Sequence, residues 1–485
     1  MLHAKKVSVF ILFILAISFS SDAQKTKVKW GAKVSDEKET KFNIIGVDDN
    51  SVYILRFQHD KRNYSIPYFV ILDKKTMEVS SSKEMQVPVP EEGDARIHNV
   101  YYLKDHFILM ISVTNSKTKK DIAIAYHMSK KGEIDSNYKI VLETTAPERG
   151  LYLDYNFMLT PDSSKFLAVV ESDDTYLAAS FDPALNGLWT GSFNGKTVSN
   201  TKYVHTLRYA TDMNNDLFIL AKASSKGAVS NQQENKLFVY KHQEKKAYSY
   251  DLQPPGKDIA YENGDILCDV NGGVRVVSFY GEKDTDAKGY LLSSYADGKV
   301  KTTASLFSPR FYAAFMSDSK SEKATKEDFL QIDYVVMNKD QSFEVVMHKY
   351  APRVFVAAVV TKFDKDFKEA WSAPLPVYYW YDGDYYTYTP MLTDHEICFL
   401  HNDHKKNMDT VDPRESTGLT GMADAVSVLT RVDLQTGKVT KQKLFESNEL
   451  GTHVMPRKCY QADEHEMYLF AKRGSNVNFG KLTVE

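Results

Sequence analysis

VYYLKDHFILMI, residues 100–111, decides the fold of this chain. An apolar run meets a tight turn at Asp105 and returns as a second, strongly apolar run. Short apolar runs bounded by turn signals read as buried strands. Asp, Asn and Gly serve the turn because they tolerate positive φ or bond their own backbone. The pattern recurs eight times, with turns at Asp48, Asp105, Asp162, Asp212, Asn271, Asp340, Asp394 and Asp463. The runs that follow are YILRF, FILMI, FLAVV, LFILA, VRVVS, FEVVM, EICFL and MYLFA, and successive turns lie 50 to 69 residues apart. A second hairpin follows in seven copies, marked by turn pairs such as Asp297-Gly298 and Thr436-Gly437. Four antiparallel strands per unit make one propeller blade. The sequence therefore predicts an all-β chain, a β-propeller of four-stranded antiparallel blades.

The eighth unit offers three strands, around Arg457–Gln461, Met467–Ala471 and Phe479–Val484. Residues 28–33 (VKWGAK) precede the first unit without a partner, and their Trp30 matches Trp189 and Trp371 in fourth-strand positions. Placing this segment beside the C-terminal strands closes the ring and removes a free sheet edge. Eight blades is the count; seven stays open, because the units near Asp340 and Asp394 carry extra material. Regular spacing from end to end argues against two β domains or a sandwich. Two polar segments, 317–328 and 405–424, read as surface loops, each with room for a helical turn.

Residues 1–23 have the order of a secretory signal: Lys5 and Lys6, an apolar core from Val7 to Ile17, and small residues at Ser21-Asp22-Ala23. That core is shorter than the roughly 20 residues that span a bilayer. The expectation is an exported chain, periplasmic or secreted, with residues 24–485 as a single propeller domain and no membrane span. Removing the signal takes away two Lys and one Asp, so the formal charge moves from −3 to −4. A value so near neutrality implies no nucleic-acid partner. The 30 Tyr and 26 Phe favour strands and exclude disorder as a description of the whole chain. Cys268, Cys398 and Cys459 permit at most one bridge, and each sits in an apolar run where a small buried hydrophobe fits.

The segment LTPDSSKFLA, Leu159 to Ala168, resembles the S-P-D-G-K-x-L-A repeat of TolB-like and WD40-like propellers. The match is good in this copy, while the other seven keep the hydrophobic outline alone and carry no Trp-Asp dipeptide at a strand end. The mature chain as a whole looks like propellers exported by Bacteroidetes-type bacteria. That resemblance implies architecture and not function, since propellers host enzymes and binding modules alike.

No nucleophile elbow, phosphate loop, HExxH or paired CxxC occurs. The nearest approach to metal spacing is His401-Asn402-Asp403-His404 with His395 upstream, which reads as a solvated loop; no metal and no cofactor is assigned. The aromatic run from Tyr378 to Tyr388 includes Trp380, Asp382, Asp384 and Tyr386. Its rings and carboxylates suit a sugar or peptide partner, or else packing between blades. Counting back seven or eight residues from each turn reaches the start of each innermost strand, where a propeller's channel opens. His98, Asp154, His205, Asp333 and Tyr386 fall there, with His453 ten before the last turn; the count puts His98 and His205 in one register. Two functions follow. The first is a binding or scaffold propeller engaging an envelope or extracellular protein or glycan through one face. The second is an enzyme acting on glycans or peptides with channel-mouth His and Asp residues.

Overall fold

A computed structural model describes residues 26–35, 40–59, 65–90, 92–115, 117–146, 153–227, 234–254, 256, 259–270, 272–283, 286–313, 327–328, 330–351, 354–377, 379 and 383–484. Residues 1–25, which include the segment read as a secretory signal, lie outside the described residues with Asn271, Tyr378, Trp380, Tyr381 and Asp382, as does most of 317–328.

The chain forms eight four-stranded antiparallel blades in a ring. Blade 1 comprises Thr40–Val47, Ser51–His59, Ser65–Asp73 and Val79–Glu84; blade 2 comprises Asp94–Leu103, His106–Asn115, Lys120–Ser129 and Ile134–Thr145. Blades 3 to 7 repeat the order and begin at Tyr155, Tyr203, Ile259, Leu330 and Tyr388. The first strands of neighbouring blades touch one another around most of the ring, so they are the innermost. Turn carboxylates act as the sequence suggests: Asp48 accepts the amides of Asn50 and Ser51, and Asp162 that of Ser164. Asp297 and Gly298 both take positive φ in a two-residue hairpin between Ala296 and Lys299, whereas Thr436-Gly437 lies in a longer turn capped by Asp433.

Blade 8 closes the ring. Its broken inner strand is His453–Val454 and Tyr460–Gln461, followed by Glu466–Arg473 and Asn476–Val484. Its outermost strand is Thr26–Trp30, paired antiparallel with the C-terminal strand in the register Thr26–Val484 to Trp30–Gly480. Beyond this ladder the Gly31 amide donates to the Phe479 carbonyl at 2.9 Å. Trp30 meets Phe445 of blade 7 edge-to-face at 5.2 Å. It occupies the fourth-strand place that Trp189 holds in blade 3 and Trp371 in blade 6.

The core is divided into eight hydrophobic clusters, one in each gap between adjacent blades. Side chains alternate across a strand, and both faces of every blade are covered. In His106–Asn115, for example, Phe107, Leu109, Ile111 and Val113 pack toward blade 1, while Ile108 and Met110 pack toward blade 3. That is why the second-strand runs are apolar at consecutive positions. All three cysteines are free, and burial raises the thiols of Cys398 and Cys459 to about 12.

Trp30 lies flat on Gly480, where a β-carbon would come within 2.5 Å of the indole. Gly480→Val should therefore lift the tryptophan and loosen the closing strand. Urea unfolding should show a loss of about 2 kcal/mol, in the range of other overpacked core positions.

Candidate functional site

Inner strands begin on one face of the ring, here the start face, and most of them carry a β-bulge. The bulges leave Ile45, His98, Leu207 and Asp333 unpaired in blades 1, 2, 4 and 6. A bulge re-aims a side chain, and two of the predicted residues occupy these positions.

His98 turns into the gap between blades 2 and 3. Its Nε2 lies 2.8 Å from the Ser112 hydroxyl, and its ring meets Tyr155 and Phe157. Burial, reinforced by the Arg96 charge, lowers its pKa to about 4, so the imidazole is neutral at ordinary pH. Asp333 likewise spans blades 6 and 7. It accepts from His348 Nδ1 at 2.8 Å and from the buried Tyr388 hydroxyl. Tyr386 packs edge-on against Tyr379, and Asp384 stands in the same turn, part-buried. His453 is 7% exposed, beside Tyr385, with its Nδ1 buried and unbonded; burial holds its pKa low.

Asp154 and His205 are brought together. They line a cleft of about 570 Å³ between blades 3 and 4, with Glu171, Arg208 and Tyr209. His205 is exposed and lies two residues before the bulge at Leu207, so it shares the register of Arg96 and not of His98. Counting from the turn misplaces it because Asp212 is the first residue of its turn whereas Asp105 is the second of its own, and the bulge lies four residues before the strand end in blade 4 and five in blade 2. Arg96 of blade 2 reaches Asp154 at 3.4 Å, and Arg208 reaches Asp265 of blade 5 at 3.8 Å. Glu171, which the sequence reading missed, is anchored from blade 4. Its Oε2 accepts from the Thr206 hydroxyl at 2.8 Å and the Tyr209 hydroxyl at 3.3 Å. Burial and the Glu171 charge raise the Tyr209 phenol, which stays a donor.

The His401–His404 segment requires a correction. It is the buried end of the strand Glu396–His404 and not a solvated loop. Asp403 forms an ion pair with Lys441 at 2.8 Å, both side chains almost fully buried. Asp403 also accepts from Asn407 Nδ2 at 2.7 Å, and Asn407 in turn bonds Thr417 twice. Asn402 donates to the carbonyls of Tyr385 and Val454. These bonds fasten the insertion 405–424, with its three 3-10 turns, to the start face as a fixed ledge. Among the described residues no three His, Cys, Asp or Glu side chains are grouped to hold a metal ion.

No protein-family model matches the chain, and no curated protein matches it in sequence. Solved structures are similar to it at low identity. The β-propeller domain of the Trilobed protease from Pyrococcus furiosus is 9% identical, over 86% of this chain and 98% of that one, at TM-score 0.39. Prolyl oligopeptidase B from Galerina marginata is 10% identical, over 92% and 55%, at TM-score 0.42. A puromycin-hydrolyzing peptidase of Mycobacterium tuberculosis is 9% identical, over 86% and 55%, at TM-score 0.39. This chain thus spans little more than half the length of the two enzymes. The fold itself, an eight-bladed β-propeller, rests on the strand pairing described above.

His401 is fully buried, with Nε2 2.8 Å from the Thr430 hydroxyl, and burial lowers its pKa from 6.5 to about 4. As pH falls, the unfolded chain takes up this proton first. The contribution is therefore intact above about pH 6.5 and drains away toward pH 4. His401→Gln should lose less stability than the parent between pH 7 and 4.5, by about 2 kcal/mol in paired denaturation curves.

Proposed function

We propose that this is an exported binding propeller that engages a protein or glycan partner across the start face. The observation that carries the reading is that polar, solvent-reachable groups gather there in a built setting. Asp154, Glu171 and His205 line the cleft between blades 3 and 4, and a hydrogen-bonded ledge stands on blade 7. Preorganised groups lose little freedom when a partner binds. His98 and Asp333 are committed to contacts between blades, which favours binding over an enzyme that uses them at the channel mouth. Export is supported by the charge, apolar core and small residues of positions 1–23. No helix among the described residues is long and apolar enough to cross a membrane.

Photo-reactive phenylalanine placed at Asp94 or Arg208, both exposed on the start side, should capture a discrete partner in intact cells. The same group at Lys131, in a turn on the opposite face, should capture none. Equal capture from both faces, or none from the start face, contradicts the reading.

A further inference from the structure

Glu171 differs from the other acidic groups around it. Arg96 faces Asp154, Arg208 faces Asp265, and Lys196 faces Asp174. Among the described residues no cation lies within ion-pair distance of Glu171, although it sits part-buried in a gap between two blades. Two hydroxyls hold its Oε2, and the Tyr176 hydroxyl, 2.7 Å from that of Thr206, supports the arrangement from behind. Oε1 accepts no hydrogen bond from any described residue. A carboxylate held through one oxygen on the wall of a cleft keeps its other oxygen free to accept from a cation that enters. Arg208 does not fill the role. Its Nη1 donates to the Leu207 carbonyl at 2.9 Å and its Nε lies toward Asp265.

We infer that the cleft between blades 3 and 4 is a pocket for a lysine side chain of a protein partner. This rests on the binding reading above and names the chemistry the partner presents. The open acceptor is single, so it suits an ammonium, a compact point charge, better than a guanidinium, which is strongest when bonded through two nitrogens. Met158 and Tyr209, both packed in the gap between blades 3 and 4, offer apolar surface on the cleft wall along which the methylene stem lies, leaving the charged end beside Glu171. Asp154 at the rim is 86% exposed, meets Arg96 through one carboxylate oxygen at 3.4 Å, and adds a second acidic group beside the cleft. The hollow between blades 6 and 7 on the opposite face lacks this property, because its Lys339 already pairs with Asp394 and Glu464.

The test uses the mature chain labelled with 13C-methyl methionine, so that Met158 reports from inside the cleft. The probes are Nα-acetyl-lysine N-methylamide and its norleucine counterpart, which keeps the stem and lacks the charge. The lysine probe should shift the Met158 methyl saturably and bind at least about fivefold tighter than norleucine. Glu171→Gln should abolish that preference, and Glu464→Gln should keep it. Should Glu171→Gln fail to fold, Asp154→Asn at the exposed rim serves instead, and should weaken the lysine probe about twofold with norleucine unchanged. Equal binding of the two probes, no shift up to about 50 mM, or an unaltered preference in Glu171→Gln overturns the pocket. Photo-capture from the start face that survives alongside such a result leaves the binding face standing without the lysine pocket. Lysine preference without any capture sinks the binding face instead.

Discussion

Every blade is covered on both faces by its neighbours, and the rest of the structure depends on that constraint. A sheet with one wet face alternates polar and apolar residues; one buried on both sides must be apolar at consecutive positions. The eight second strands meet this demand and distribute their alternate side chains between two clusters each. A ring is the arrangement in which no blade is left with a bare face. It closes only if blade 8 meets blade 1, which it does through Phe42, Phe470 and Phe479. The strand from the opposite end of the chain completes that blade and carries Trp30 onto Phe445.

Once the gaps are apolar, polar chemistry is confined to the inner strands and the rims. The bulges in the inner strands decide which polar groups are spent on structure. At His98 and Asp333 they aim a polar side chain into a gap, where a hydroxyl or an imidazole satisfies it. At Leu207 the bulge packs an apolar residue against the cluster between blades 4 and 5, while the inner strand of blade 3 pairs without a bulge and aims no such side chain into the cleft beside Glu171. The candidate site is thus a gap that no bulged inner-strand side chain fills.

Much of this was legible in the sequence. The turn aspartates, the spacing of the apolar runs and the unpaired VKWGAK segment were enough to read a closed ring, because burial on two faces and capped turns leave strong local signals. Asp154 and His205 were found by counting to strand starts. Their setting was not, because the place of the bulge, and of the aspartate within its turn, shifts the register without changing the hydrophobic outline. Glu171 follows the run FLAVV and resembles any polar residue at a strand end; only the Thr206 and Tyr209 hydroxyls of the next blade distinguish it. The polarity of His401 to His404 suggested water, whereas each of these groups finds a partner within the fold, down to the Asp403–Lys441 pair.

Ring closure is the claim beneath both the fold and the placing of the cleft, and a paired cysteine substitution measures it directly. Lys27 and Thr483 are opposite one another in the closing ladder. With both changed to cysteine, mild oxidation should give a monomer whose N-terminal and C-terminal peptides are joined by one disulfide. Absence of that cross-link, or its appearance only between two molecules, would contradict the closed ring.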